Sequence, residues 1–309
     1  MDTPGVTVVI PTRNRAEFLR RAIRSVLQQT FQDFELIVVD DASPDHTEAV
    51  VTSFPDERIR RIRHDHAKGG AAARNVGIRA ARADWIAFLD DDDEWFPEKL
   101  ARQMEVVRGA PDVGCVYTGY VVVERATGTL TGRMVPTRRG DLSEILLQEN
   151  CLGGTSSVLV RRDCLEKAGL FDERLPSFQD YDLWIRLSRH CRFDYLPEPL
   201  LTYYVHGGNI WGNLDALREG VGMMVAKHGR SPALRKYLSD KYLFLGIRYD
   251  YASQPARARE SYLKAIRLYP LEVRNYLNLG LSLLGSKVVV ATHEAKAAMV
   301  GRLAKWRGA

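Results

Sequence analysis

The stretch Trp85-Ile-Ala-Phe-Leu-Asp-Asp-Asp-Asp-Glu-Trp95 decides how the chain reads. Five mostly apolar residues run straight into Asp90, Asp91, Asp92 and Asp93. The run is short and follows an Ala/Arg-rich helical stretch, which predicts a buried strand over Trp85–Leu89. Four carboxylates at the end of such a strand repel one another and resist desolvation, so positive charge must lie close by. Two readings stay open at this point. One is a solvated acidic loop leading into the helix that Pro97 and the Glu98–Val107 pattern begin. The other is a site where carboxylate oxygens hold Mg²⁺ or Mn²⁺, which also grips a phosphate.

Upstream, Val6–Ile10 is a β-branched strand ended by Pro11 and the polar loop Thr12–Arg15. An apolar stripe predicts a helix over Glu17–Gln29. Phe34–Val39 is a second strand and ends in Asp40-Asp41-Ala42-Ser43. Ser43 and Pro44 read as the cap and first-turn proline of a helix through Val51. Arg58–Arg63 is a weaker strand, and Lys68-Gly69-Gly70 opens an Ala-rich helix to about Ala83. Strands alternating with helices predict an α/β fold with a mostly parallel sheet. Ligands of such sheets sit beyond the carboxyl ends of the strands. Three polar clusters, Pro11–Arg15, Asp40–Ser43 and Asp90–Asp93, converge there. The first turn has no glycine, so the dinucleotide fingerprint fails at its first requirement, and no P-loop is present.

Downstream, Val113–Val123 predicts one or two strands, and Thr127–Thr131 with Gly128 a hairpin turn. Asp141–Gln148 reads as helical. Gly153–Ser157 leads into the strand Val158–Val160, and the helix Arg162–Ala168 ends at Gly169. From Asp180 a helix carries Leu183, Trp184 and Leu187 inward, and the strand Leu200–Val205 delivers His206. A first-turn Asp180 serves either as a helix-dipole partner or as a functional carboxylate. His206 serves either as a structural hydrogen-bonding residue or as a ligand. Trp95 and Trp184 read as core or as an acceptor shelf.

The chain has 309 residues, 45% hydrophobic and 27% charged, with formal net charge +5 and pI near 9.0. That size suits one large domain and a smaller one. The charge suits an anionic ligand or membrane surface; scattered basic residues without interleaved aromatics speak against nucleic acid. Cys115, Cys151, Cys164 and Cys191 form no CxxC pair, which predicts free thiols in a reducing cytoplasm. Asp2 followed at once by a strand does not read as a signal peptide, and no apolar run is long enough to span a bilayer. A cytoplasmic protein, able to sit peripherally on the inner face of the membrane, is the expectation.

Six blocks, VTVVIPTRNR, FELIVVDDAS, GGAAARNVGIRAA, FLDDDDEWFPEKL, QDYDLWIRL and YYVHGGN, together resemble the family-2 glycosyltransferases over about residues 5–210. The resemblance implies a GT-A fold, with a nucleotide-binding half at about 1–110 and an acceptor half at about 111–212. It implies inverting transfer of a sugar from a nucleotide-diphosphate donor, UDP-sugar favoured, to an acceptor hydroxyl, assisted by Mg²⁺ or Mn²⁺. The acceptor would be a saccharide or lipid-linked saccharide in cell-surface polysaccharide or glycan synthesis.

Residue by residue, the resemblance places Pro11, Thr12 and Asn14 on the nucleotide pocket and Asp41 on the base. Arg74 and Asn75 would sit by the base and phosphates. Asp90-Asp91-Asp92 matches the family's D-x-D: Asp92 would bind the metal with Asp90 and His206 beside it, and Asp91 would reach the ribose or sugar. Asp180 would be the catalytic base, with Gln179 where glutamate is more usual. A non-catalytic sugar-nucleotide-binding or scaffold protein of the same fold is the alternative.

Residues 213–309 turn helical and basic. Tyr242, Leu245, Gly246, Tyr249, Ala258, Tyr262, Ala265 and Pro270 fall on the tetratricopeptide template, and Tyr276, Leu279 and Gly280 restart it. One repeat at about 239–272 and a fraction cannot bury its own face. A helical hairpin that fits the template by chance is the plainer reading. Lys287–Arg307 reads as a loosely packed terminal helix or as a segment lying on an anionic membrane. A protein partner for these helices is the remaining expectation.

Overall fold

A buried strand, Val6–Thr12 (β1), lies at the centre of a parallel sheet with Phe34–Asp40 (β2) on one side and Trp85–Phe88 (β4) on the other. Every residue of β1 and β2 is buried, as expected of strands covered on both faces. In this computed structural model residues 3–207 and 212–307 are described, and of 297–307 the backbone alone.

Ile59–Arg63 (β3) forms the edge beyond β2, and its charged residues suit an exposed edge. The helices Ala16–Leu27 (α1), Thr47–Thr52 (α2) and Gly70–Ala80 (α3) connect these strands. Gly77 lets α3 approach β1 closely: a Cβ there would stand 2.3 Å from Val9 Cγ1.

Past β4 the pairing becomes mixed. The remaining strands are Glu94–Trp95 (β5), Val113–Glu124 (β6), Thr129–Met134 (β7), Val158–Arg161 (β8) and Arg192–Val205 (β9). The helices Lys99–Gly109 (α4), Arg162–Ala168 (α5) and Gln179–Leu187 (α6) lie among them. Among the described residues nine strands form one sheet of order β3-β2-β1-β4-β8-β6-β9-β5, with β7 paired to β6. Only β3-β2-β1-β4 is parallel throughout; β8 runs antiparallel to both β4 and β6, while β6 and β9 are parallel. The family resemblance carried this GT-A arrangement; strand and helix alternation alone gave the parallel half.

Local differences have local causes. Ser43 does not cap α2, which starts at Thr47: Ser43 Oγ accepts from the Asn14 amide (3.0 Å), and the Asp45 carboxylate takes the Thr47 amide (3.1 Å). α3 ends at Ala80 rather than Ala83. Over Asp141–Gln148 only a 3₁₀ turn, Ile145–Leu147, forms, because the Asp141 side chain holds the Ser143 amide (2.8 Å) in a turn. β9 begins at Arg192, well before the predicted Leu200. Pro197 and Pro199 are accommodated beside register shifts around Gly119, where a Cβ would stand 2.8 Å from the Met134 carbonyl oxygen. The hairpin at Gly128 (φ +68°) and the Gly169 cap (φ +84°) form as predicted.

The chain divides into two compact units, Met1–Asn209 and Ile210–Ala309. The second contains Leu214–His228 (α7), Pro232–Tyr251 (α8), Pro255–Leu268 (α9), Val273–Leu284 (α10) and Ser286–Arg307 (α11). Asn213 and Ser231 cap α7 and α8 through their side chains. Tyr242, Leu245, Tyr249, Ala258, Tyr262 and Ala265 are buried, and Gly246 packs against the Tyr262 ring. None of the described helices is long and apolar enough to cross a membrane. All four cysteines are free; Cys115 and Cys164 are buried, Cys151 and Cys191 half-buried.

Candidate functional site

The carboxyl ends of β1, β2 and β4 bring the three polar clusters together. Thr12 Oγ1 donates to Asp91 Oδ2 at 2.7 Å, tying the end of β1 to the acidic run. The required positive charge is Arg15, whose Nη1 lies 3.1 Å from Asp91 Oδ1 and 2.9 Å from Asp92 Oδ2. Sequence reasoning demanded a cation here but did not assign Arg15; its place in the β1 loop was the available signal. Burial pushes Asp91 up to about 7, against the pull of Arg15 and with the push of Asp92. Burial, then Asp90 and Asp92, hold Asp93 well above the usual carboxylate range. Asp93 accepts from the Tyr204 amide (3.4 Å) and lies inside the fold.

Asp92 also meets His206, with Asp92 Oδ2 and His206 Nε2 2.9 Å apart. The His206 ring packs on Phe18, centroids 5.3 Å apart. A carboxylate oxygen and an imidazole nitrogen at that spacing fit two neighbouring positions of one divalent cation, the rest being left to phosphate and water. Among the described residues no group of three or more His, Cys, Asp or Glu is arranged to hold an ion. The fit is therefore that of a two-donor site. Asp90 is engaged elsewhere: its Oδ1 takes Thr155 Oγ1 (3.0 Å) and the Arg74 guanidinium, and its amide donates to Ser156 Oγ (3.0 Å).

Arg74 links the acidic run to α6. Besides Asp90 it reaches Gln179 Oε1 at 3.5 Å, and its charge acts on Asp180. Its Nε is buried without a hydrogen-bond partner among the described residues, an orphaned donor. Asp180 sits in the first turn of α6, where its Oδ1 accepts from the Tyr181 amide at 2.7 Å. Burial raises Asp180 to about 6, opposed by the Tyr181 amide and Arg74 and aided by Asp90. Tyr120 is raised by its own burial and then by Asp180 and Asp93; its ring lies 6.1 Å from that of Tyr203.

Two expected base contacts have other occupations. Asp41 accepts from the Lys68 and Gly69 amides (2.7 and 2.8 Å) and from His64 Nδ1 (2.7 Å), which fixes the loop opening α3. Burial works to raise Asp41, but these hydrogen bonds outweigh it and hold the carboxyl low. Asn75 is buried and donates to the Phe171 carbonyl (2.9 Å) and to Glu173 Oε1 (2.7 Å), while its Oδ1 accepts from the Phe171 amide (2.9 Å). Its side-chain amide thereby holds the 171 loop against α3. Pro11 is buried. Asn14 is exposed with φ +54°, and Ala42 (φ +58°) and Phe178 (φ +60°) are likewise left-handed next to the site. Such backbone costs about 1–3 kcal/mol per residue and persists only where surrounding structure enforces it. Of the YYVHGGN block, Gly208 and Asn209 lie outside the described residues.

The family model for glycosyl transferase family 2 matches residues 7–167. A β-1,3-glucosyltransferase of Escherichia coli, WfgD, described as acting from UDP-Glc on α-D-GlcNAc-diphosphoundecaprenol, is 32% identical over 61% of this chain and 72% of its own. An uncharacterized glycosyltransferase of Rickettsia felis is 31% identical over 60% of this chain but only 32% of its own length. One of Haemophilus influenzae is 31% identical over 64% of each. The chain thus spans between a third and two thirds of several curated relatives. Among solved structures, Staphylococcus aureus TarS 1–349 with UDP-GlcNAc aligns at TM-score 0.60 and 16% identity, over 85% of this chain and 89% of that one. The mannosyltransferase PcManGT of Pyrobaculum calidifontis with GDP-Man and Mn²⁺ aligns at TM-score 0.58 and 19% identity, over 94% and 86%. With the family model covering more than half of its length, the chain is a member of glycosyl transferase family 2.

Proposed function

We propose that this family-2 protein is a glycosyltransferase that moves a sugar from a nucleotide-diphosphate sugar to an acceptor hydroxyl with inversion, Asp180 acting as the base. The carrying observation is Asp180 itself: a buried carboxyl raised to about 6, with one oxygen fixed by the Tyr181 amide at the start of α6. In the proposed step Asp180 Oδ2 takes the acceptor proton as the acceptor oxygen bonds to the anomeric carbon. The bond from that carbon to the diphosphate breaks, and the leaving nucleoside diphosphate keeps the electron pair. Attack opposite the leaving group needs one base and no covalent enzyme intermediate.

Arg74, with its unpartnered Nε, is suited to bind diphosphate oxygen, and Thr12, Asn14 and Asp91 to orient the nucleoside and sugar. Asp92 and His206 are the residues that would hold Mg²⁺ or Mn²⁺. Such a cation supplies neutralisation of the charge developing on the leaving diphosphate. A UDP-sugar is favoured because WfgD is described with UDP-Glc and TarS with UDP-GlcNAc, although PcManGT is described with GDP-Man. The WfgD description also supports a lipid-linked saccharide acceptor and a role in surface glycan synthesis.

Calorimetric titration of UDP, GDP and dTDP, each with and without Mn²⁺, against wild type and Asp92→Ala tests the donor site. Metal-dependent binding of one nucleotide, lost in Asp92→Ala, is the expected result. Absence of binding to all three would overturn the metal assignment and favour the scaffold reading.

A further inference from the structure

α10 is amphipathic in the inverted sense. Its inward side is polar: Asn275 and Ser282 are fully buried and Asn278 nearly so. Asn275 Nδ2 donates to Ser239 Oγ (3.0 Å), and Ser282 Oγ to Asp250 Oδ1 (3.1 Å). Asn278 Oδ1 lies 2.8 Å from His293 Nε2. Asp250 in turn accepts from Tyr262 (2.9 Å) and Ser286 (2.6 Å), so one carboxylate gathers three hydroxyls. The outward side is apolar. Leu271, just before the helix, is 80% exposed, Leu277 60%, Leu283 62% and Leu284 76%, with Val273 and Tyr276 beside them. Val273, Leu277 and Leu284 recur at helical spacing, with the small Gly280 between the last two, so these three side chains lie along one ridge.

A ridge of that size on a soluble surface marks an interaction face. Charge identifies what covers it. Residues 210–309 contain seventeen Lys and Arg against seven Asp and Glu, although the whole chain is only +5. Arg267 and Lys287, at either side of α10, are exposed and have no ion-pair partner among the described residues. Two copies meeting through this face would bring like charge together, whereas an anionic bilayer attracts the charge and accepts a protruding aliphatic ridge. We infer that the α10 face, with Arg267 and Lys287 at its rim, is a docking surface for an anionic lipid bilayer. The inference rests on the helical unit alone and not on the transfer chemistry. The sequence reading left Lys287–Arg307 open between a loosely packed terminal helix and a membrane-lying segment, and the side chains of 297–307 lie outside the described residues.

Sedimentation of the full chain with phosphatidylcholine vesicles, with and without phosphatidylglycerol, tests it. Binding confined to the anionic vesicles and weakened by salt is expected. Leu277→Ser with Leu284→Ser removes two ridge side chains and should weaken partitioning at least about tenfold. Arg267→Gln with Lys287→Gln should weaken it and flatten its salt dependence. Circular dichroism and nucleotide titration should be unchanged in both, which separates this outcome from failure of the donor site. Vesicle binding that is absent, or indifferent to both double substitutions, overturns the inference. A concentration-dependent dimer dispersed by the leucine substitutions overturns it in favour of a second copy.

Discussion

Arg15→Gln removes the one guanidinium among the described residues that touches both Asp91 and Asp92. Deleting one partner of a buried ion pair costs about 3–5 kcal/mol, because it leaves charge buried and uncompensated. The Arg15 side chain is 31% exposed, so solvent screens part of the loss, and about 2 kcal/mol is the expected destabilisation. That corresponds to a Tm lower by about 4–8 °C in a unit of this size. The measurement is thermal unfolding at pH 8 in EDTA and in Mn²⁺, without nucleotide. A divalent cation would restore the missing charge, so Mn²⁺ should raise the variant's Tm more than that of wild type. If it recovers the whole deficit, its affinity tightens by up to about thirtyfold. The deficit should also shrink in acid. A carboxyl raised by the fold favours the folded state at low pH and loses that contribution as pH rises through its folded value, here about 7 for Asp91. By pH 5 Asp91 is protonated, and Arg15 has less charge to neutralise. Equal melting of the two proteins at pH 8 in EDTA, or equal shifts with Mn²⁺, would refute Arg15 as the counter-charge.

Other expectations concern α6 and α4. Asp180→Asn should lower kcat by about 10²–10⁴-fold, the usual contribution of a general base, with nucleotide affinity in calorimetry little changed; a variant that keeps its rate removes Asp180 from the chemistry. With the folded carboxyl at about 6, kcat/KM should rise about tenfold per pH unit below that value and level off above it, since the base acts deprotonated. The same raised value means that the Asp180 contribution to stability declines as pH climbs towards 6. Lys99 is fully buried, with Nζ 2.8 Å from Gln103 Oε1 and 4.1 Å from the Trp95 ring centroid, and burial lowers it well below the ordinary lysine range. Lys99→Met should therefore raise stability at pH 7 by about 1–3 kcal/mol in chemical unfolding, and a loss of stability would show that the amine's contacts outweigh its desolvation.

The parallel half of the fold was legible because β1, β2 and β4 are buried on both faces and read as continuous apolar runs. The mixed half was less so. Nothing in Arg192–Pro199 reads as strand, because two prolines interrupt it and the irregular β6 register that admits them is a tertiary feature. Asp180, Asp92 and His206 were singled out by matching ordered blocks, and the structure joins Asp92 to His206 across 114 positions. The protein partners of Asp41 and Asn75, in the 64–69 and 171–173 loops, are of a kind that local spacing cannot reveal. The inverted polarity of α10 was hidden for a similar reason, since its pattern is that of any amphipathic helix until the buried side is known.

Arg74 and Asn75 are consecutive residues of α3, yet one meets Asp90 and the other grips the backbone of Phe171, a few residues ahead of Asp180. The segment carrying the proposed base is thus clasped to the helix that bears the arginine of the acidic run. Exchanging the stretch 111–207 with that of a relative would have to preserve a backbone N–H and C=O offered to Asn75 at the place of Phe171. Divergence within this lineage should then concentrate in the hairpin of β6 and β7 and the turn near Leu146, which can be rebuilt without loosening that clasp.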